Sequence, residues 1–137
     1  MKRIYLISRY RGDVARNIQV AKTLCASLCL SANATTDGED FAPFASHLFY
    51  TQFLDDEDPK QRAAGIAAGH AWMAVADEVW VWVHELPLSE GMVGDVYKAI
   101  ELEKPVIAFS PAIGRRPWLD WTATINPELW LPPSHQP

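Results

Sequence analysis

The run EVWVWV at residues 78–83 limits the fold more than any other part of the sequence. It is apolar on both faces, whereas a strand with one wet face would alternate apolar with polar side chains. Strands of this kind occupy the centre of mostly parallel sheets, which helices cover on both sides. We therefore predict a central strand here, with Trp80 and Trp82 on the same face of the sheet.

Segments before this run alternate between strand and helix patterns. Residues 3–8, RIYLIS, predict a buried first strand, and from residue 14 to residue 28 apolar positions recur at helical spacing. FAPFASHLFY at residues 41–50 predicts a second strand followed by a loop. Asp58 and Pro59 form a typical helix start, and that helix should run to about Val75. Its Gly65 and Gly69 lower helix stability, so a neighbouring segment should pack closely against them.

After the central run the same alternation continues. A third helix is predicted to begin near Ser89, PVIAFS at residues 105–110 predicts another strand, and ELWLP at residues 128–132 a last short one. Strands that alternate with helices predict an α/β domain with a mostly parallel sheet. At 137 residues the chain is expected to form a single domain, residues 1–131, followed by a flexible tail at residues 132–137.

Composition excludes several classes of protein. Hydrophobic residues make up 49% of the chain and charged residues 21%, and no apolar run approaches the roughly 20 residues of a membrane helix. With no secretory signal either, we expect a cytoplasmic protein that does not bind membranes. The net charge of −5 argues against a nucleic-acid partner. Cys25 and Cys29 are interpreted as two buried thiols, and no metal site is expected.

Ligands of parallel sheets collect beyond the carboxyl ends of the strands, and this rule selects three loops: residues 8–13, the region of His47, and residues 84–95. In the first loop, guanidinium groups and flexible backbone suit a phosphate or a sugar. The alternative is a solvated loop without a ligand. The candidate binding residues of this loop and the turn after it are Ser8, Arg9, Arg11, Gly12 and Asn17.

The start of the third helix is the second candidate. Ser89 suits an N-cap, Gly91 keeps the backbone accessible, and free amides there attract an anion. The alternative is a purely structural cap. Asp95 lies in the first turns of this helix, where the dipole favours its ionised form. It is either a stabilising charge or a carboxylate that attacks a sugar carbon or stabilises an oxocarbenium ion. Met92, on the predicted buried face of this helix, is a further candidate binding residue.

Two histidines are candidate acid–base groups. His47 follows the second predicted strand, and His70 lies on the second predicted helix. Nothing in the sequence pairs either of them with another chemical group. Each is therefore either a packing residue or a proton donor.

Three stretches together resemble the nucleoside 2-deoxyribosyltransferase-like superfamily, in particular its short phage or prophage members of uncharacterised function. They are IYLISRYRGD near the start, FAPFASHLFYTQFLDDEDPKQRAAGI in the middle, and ADEVWVWV with SEGMVGDVYKAIELEKPVIAF. The resemblance covers about residues 3–109. It implies a flavodoxin- or Rossmann-like three-layer sandwich with a four- to five-stranded sheet, a homo-oligomer (dimer or higher), no cofactor, and chemistry at the N-glycosidic bond of nucleosides or nucleotides.

The resemblance also implies roles for individual residues. Asp95 falls on the glutamate that is the family's nucleophile, Ser89 on a serine that holds a 5′-phosphate, and Tyr5 on a tyrosine that orients the catalytic carboxylate. The family's second acid falls on Gly69, beside His70, which becomes the candidate proton donor to the leaving base. Aspartate is about 1.5 Å shorter than glutamate, and a misplacement of that order can cost ~100-fold in rate.

The function predicted from the sequence is therefore cleavage or exchange of the N-glycosidic bond of a nucleoside 5′-monophosphate or nucleoside. A non-catalytic nucleotide-binding or sensing protein is the alternative, which the aspartate and the missing second acid favour. A third alternative is a structural protein that assembles through tryptophans such as Trp118 and Trp121.

Overall fold

The computed structural model describes residues 1–31 and 39–136 and has an α/β architecture. Its strands and helices follow in the order β1 (Lys2–Ile7), α1 (Val14–Leu30), β2 (Phe41–Phe44), α2 (Ser46–Phe49), α3 (Pro59–Val75), β3 (Glu78–Trp82), α4 (Glu90–Glu101), β4 (Val106–Ser110), β5 (Gly114–Pro117), α5 (Trp118–Ala123) and α6 (Pro127–Trp130). Short 3-10 turns cover Tyr50–Gln52 and Pro133–His135.

The sheet has five strands in the order β2-β1-β3-β4-β5, of which the first four are parallel and β5 is antiparallel. This confirms the predicted α/β fold with a mostly parallel sheet. From β1 the chain crosses to one side to form β2 and then to the other side to form β3. The carboxyl ends of β1 and β3 therefore flank a topological switch point, where open α/β sheets bind their ligands.

Helices cover both faces of the sheet. On one face, Ile4, Leu6 and Trp80 pack with Leu28 of α1. On the other face, the side chains of β1 and β3 pack against α3, α4 and the paired rings of Trp118 and Trp121. Trp80 and Trp82 share the α1 side, as the alternation predicts. Both tryptophans of α5 are buried, so they stabilise the core rather than forming an exposed surface.

Three local predictions differ from the structure. Residues 46–49, predicted as a loop after the second strand, form α2. Residues 127–130, which overlap the last strand predicted at residues 128–132, form α6, which begins at the side-chain cap of Asn126. The fifth strand lies instead at β5, where Gly114 to Pro117 pair with β4. Cys29 is exposed rather than buried, while Cys25 is half-buried and burial raises its pKa to about 11.

The carboxyl-terminal segment contacts the domain. Ser134 donates a hydrogen bond to the Glu90 carboxylate, and the His135 ring lies 6.2 Å from the Tyr97 ring. Residue 137 lies outside the described residues. These contacts place residues 133–135 beside the start of α4.

Candidate functional site

A cavity of about 280 Å³ opens at the carboxyl edge of β1, between α2, α3 and the start of α4. This is close to the lower end of the ~300–1,000 Å³ typical of small-molecule sites, so it suits a small ligand. Its walls combine aromatic rings with hydroxyl, carboxylate and guanidinium groups. The lining includes Tyr5, Ser8, Tyr10, Arg11, Ser46, His47, Tyr50, Asp56, Arg62, Ser89, Gly91, Met92 and Asp95.

Asp95 reaches this cavity from the second turn of α4. Its Oδ1 lies 2.9 Å from Nε2 of His70 on α3, and the side chains of Asp95 and His70 are 29% and 22% exposed. Its Oδ2 has no hydrogen-bond partner in residues 1–31 and 39–136. Histidine therefore fixes one carboxylate oxygen and leaves the other available to a ligand.

Tyr5 lies beneath Asp95 on β1. It is buried, and its hydroxyl donates a hydrogen bond to Oγ of Ser46 at 3.1 Å. Burial raises the pKa of Tyr5, and the negative charge of Asp95 raises it further. The phenol therefore stays neutral and is a hydrogen-bonding group at the floor of the cavity.

Gly69 of α3 packs against this pair, and the prediction of close packing is confirmed. A Cβ at Gly69 would lie 3.0 Å from the Tyr5 hydroxyl and 3.0 Å from Cβ of Ser46, and one at Gly65 would lie 3.4 Å from Leu54. A Cβ at residue 69 would require Tyr5 or Ser46 to shift by a few tenths of an ångström. The position that the resemblance assigns to a second acid is thus a closely packed glycine.

His47 forms a different wall of the cavity. Its Nε2 lies 3.2 Å from Oγ of Ser8, at the end of β1, and its ring stacks on Tyr10 with centroids 5.6 Å apart. Burial lowers the pKa of His47, and the charge of Asp95 opposes part of this effect. Asp95 and His47 therefore line the same cavity, Asp95 from α4 and His47 from α2.

The start of α4 provides hydrogen-bond donors at the far end of the cavity. Ser89 is the N-cap, as predicted, because its Oγ accepts a hydrogen bond from the Met92 amide at 3.2 Å. No acceptor within the described residues takes the amide hydrogens of Glu90 and Gly91. Nη2 of Arg62 lies 3.9 Å from the point where a Cβ on Gly91 would stand. Amides, a hydroxyl and a guanidinium therefore converge there.

Asp56 holds two arginines at this end. Its carboxylate accepts hydrogen bonds from Nη1 of Arg62 at 3.1 Å and from Nε of Arg11 at 3.0 Å, and its carbonyl accepts a third from Arg11. One carboxylate thus faces two cations, and the Glu90 carboxylate, which accepts a hydrogen bond from Ser134, lines the same cavity. This arrangement connects the loop after β1 with the start of α3.

Four predicted site residues lie outside the lining of this cavity. Arg9 donates a hydrogen bond to the Pro87 carbonyl, and Asn17 donates to the carbonyls of Tyr10 and Arg11. Gly12 forms a turn with φ of +104°, and His70 lies behind Asp95. Arg9, Gly12 and Asn17 shape the loop that carries Ser8, Tyr10 and Arg11.

The sequence analysis did not assign several cavity residues to the site: Tyr10, Ser46, Tyr50, Asp56 and Arg62. Of these, Tyr50, Asp56 and Arg62 belong to the middle stretch that carries the family resemblance. Tyr10 and Ser46 carried a usable signal, because each lies just beyond the end of a predicted parallel strand. Asp56 and Arg62 meet through the fold of the segment before α3, which no local pattern describes.

Within the described part of the chain, no helix has the length and apolar character needed to cross a membrane.

The fold and this cavity define a doubly wound α/β protein with a polar, small-molecule-sized cavity at its switch point. Residues 2–109 match the family model described as "Domain of unknown function (DUF7768)", and the chain belongs to that family. No match to a curated protein was found. A 2-deoxyribosyltransferase from the psychrotolerant bacterium Bacillus psychrosaccharolyticus has a similar structure, with a TM-score of 0.56 and 16% identity over 80% of this chain and 72% of that chain. At this identity the likeness shows a common fold.

Proposed function

We propose that the chain is a nucleotide-processing enzyme that cleaves or exchanges the N-glycosidic bond of a nucleoside 5′-monophosphate or nucleoside. The observation that carries the proposal is the Asp95 carboxylate, with one oxygen fixed by His70 and the other available at a cavity that also holds anion-binding groups. The fold shared with a 2-deoxyribosyltransferase supports it. Its partner would be a small molecule in the cytoplasm, with no nucleic acid, membrane or cofactor required.

Asp95 would attack C1′ of the sugar, while His70 orients its carboxylate and Tyr5, bonded to Ser46, lies at the floor of the cavity. The 5′-phosphate would lie at the start of α4, where the Glu90 and Gly91 amides, the Ser89 hydroxyl and Arg62 meet. Hydrolysis is favoured over transfer because this end of the cavity suits a phosphate.

A panel of nucleosides and their 5′-monophosphates tests this proposal. We expect release of free base, detected by chromatography, with the monophosphates at least about tenfold better in kcat/KM because charge-assisted hydrogen bonds contribute ~1.5–3 kcal/mol each. Arg62→Gln should remove most of that preference and leave nucleoside cleavage nearly unchanged, whereas Arg3→Gln is a control far from the cavity. Equal rates for both substrate classes in the unaltered protein would contradict the phosphate assignment.

A non-catalytic nucleotide-binding protein is the second candidate, and residue 69 favours it, because a glycine packed against Tyr5 and Ser46 stands where the resemblance puts a second carboxylate. Calorimetry distinguishes the two. Binding of a nucleoside monophosphate without base release over hours would support the binding protein and contradict the enzyme.

We also propose that the chain forms a homo-oligomer through an aromatic surface beside the cavity, made of Phe49, Phe53 and Trp72. These side chains are 50%, 61% and 51% exposed, and Trp72 donates a hydrogen bond to the cavity residue Tyr50. Contiguous exposed rings mark interaction surfaces more than scattered ones do. A second copy is the matching partner, because an interface across a two-fold axis pairs a surface with itself.

Native mass spectrometry tests this surface. We expect a dimer or larger assembly at micromolar concentration, and Phe53→Glu should shift it to the monomer because a carboxylate would be buried unpaired. Leu119→Glu is the matched control, since Leu119 is 77% exposed on α5, outside this surface. A monomeric unaltered protein, or an equal effect of both substitutions, would contradict the proposal.

A further inference from the structure

We propose that His47, and not His70, is the group that donates a proton to the departing base. This inference rests on the proposed function, since it concerns the leaving group of the same reaction. It assigns separate tasks to His70, which contacts Asp95, and to His47, which lines the cavity. His70 is a positioning residue, and His47 is a catalytic residue.

The contacts of His70 do not suit a proton donor to the base. The Nε2 atom of His70 lies 2.9 Å from Oδ1 of Asp95, and His70 is absent from the cavity lining. A base that leaves C1′ must lie on the face of the sugar opposite the attacking carboxylate oxygen. His70 contacts the carboxylate and does not line the cavity, so it is not placed to reach a base bound there.

His47 lines the cavity itself, unlike His70. It reaches the cavity from α2 and Asp95 from α4, so a ligand in the cavity can contact both the imidazole and the carboxylate. The Ser8 hydroxyl at 3.2 Å and the stacked ring of Tyr10 hold the imidazole in place. Burial lowers the pKa of His47, which makes its protonated form a stronger acid than an exposed imidazolium.

Several other ionisable groups of the cavity have partners within the protein or lack a suitable proton. Asp56 accepts hydrogen bonds from Arg11 and Arg62, and Glu90 accepts one from Ser134. Tyr5 donates its hydroxyl hydrogen to Ser46. Arginine does not give up its proton in proteins. Among the described residues that line the cavity, His47 is the group best suited to general acid catalysis.

The step is balanced as follows. The Asp95 carboxylate oxygen forms a bond to C1′ as the bond from C1′ to the base nitrogen breaks. The electron pair of that bond stays on the nitrogen, which takes the proton of His47, so the base leaves neutral. Water then attacks C1′, the bond to Asp95 breaks, and the proton of the water returns to His47.

Two substrates with the same sugar phosphate but different leaving groups test this role. One is the natural nucleoside 5′-monophosphate, and the other is the corresponding 4-nitrophenyl glycoside, whose leaving group departs as a stable anion and needs no proton. His47→Gln should reduce kcat for the natural substrate by about 100-fold or more and change kcat for the nitrophenyl substrate by less than about threefold. His70→Asn should instead reduce both rates in similar proportion.

His84→Gln is the matched control, because His84 is an exposed histidine outside the cavity lining, and both rates should stay unchanged. Retained nitrophenyl cleavage also shows that the His47→Gln protein is folded. If His47→Gln lowers both rates equally, or lowers neither, the inference is overturned while the proposed function stands. If the unaltered protein cleaves neither substrate, the proposed function fails, and this inference fails with it.

Discussion

Asp95→Asn is expected to reduce base release from a nucleoside 5′-monophosphate by about a thousandfold or more. Asparagine has the same shape and can still contact His70, so the geometry at 2.9 Å is preserved. What disappears is the negative charge, and with it the oxygen nucleophile and the stabilisation of the positive charge that develops on the sugar. The measurement is the steady-state rate of base release by chromatography.

The control for this substitution is Asp120→Asn, which neutralises an exposed carboxylate on α5. It should leave the rate unchanged. Circular dichroism and thermal unfolding of both variants separate a lost charge from lost folding. An Asp95→Asn protein that keeps a rate within about tenfold of the unaltered protein would contradict a nucleophilic role, because such a loss is smaller than that expected for one electrostatic group.

Gly69→Ala is expected to lower the free energy of unfolding by about 1–3 kcal/mol relative to Gly65→Ala. Both substitutions lie inside α3 and give the same gain in helix propensity, about 1 kcal/mol. They differ in the space around the new methyl group. At Gly69 it meets Tyr5 and Ser46 at 3.0 Å, whereas at Gly65 it meets the flexible end of Leu54 at 3.4 Å.

Urea unfolding of the two variants in parallel provides the comparison. Gly65→Ala should be neutral or stabilising, and Gly69→Ala should be the less stable of the two. Equal stabilities would show that Tyr5 and Ser46 move aside without cost. In that case the absence of a carboxylate at residue 69 would need an explanation other than packing.

The sequence predicts those parts of the fold that depend on local patterns. Asp58 with Pro59 and Ser89 are helix starts in both sequence and structure, because a cap depends on residues within one turn. Asn126 with Pro127 is the same kind of start, and applying the rule there would have identified α6. β5 is polar and short, and only its pairing with β4 makes it a strand, so no local pattern predicts it.

In the candidate site too, the features that depend on local patterns could be predicted and those that depend on contacts distant in sequence could not. Ser8, His47, Ser89 and Asp95 could be selected from the sequence, because all lie near strand ends or a helix start that the pattern fixes. The partners of these residues could not. The contact between His70 and Asp95 joins residues on two helices, and the contacts of Asp56 with Arg11 and Arg62 depend on how the segment before α3 folds back.

The most direct measurement of the central claim, that the Asp95 carboxylate faces the sugar of a bound nucleotide, is covalent trapping. A 2′-deoxy-2′-fluoroarabinosyl nucleoside 5′-monophosphate slows the release of a glycosyl–enzyme ester, because fluorine destabilises the oxocarbenium-like transition state. Intact-protein mass spectrometry should show one added glycosyl 5′-phosphate, located by peptide mapping at Asp95 and absent from Asp95→Asn. No adduct on a protein that cleaves the natural nucleotide, or an adduct on another residue, would contradict the account.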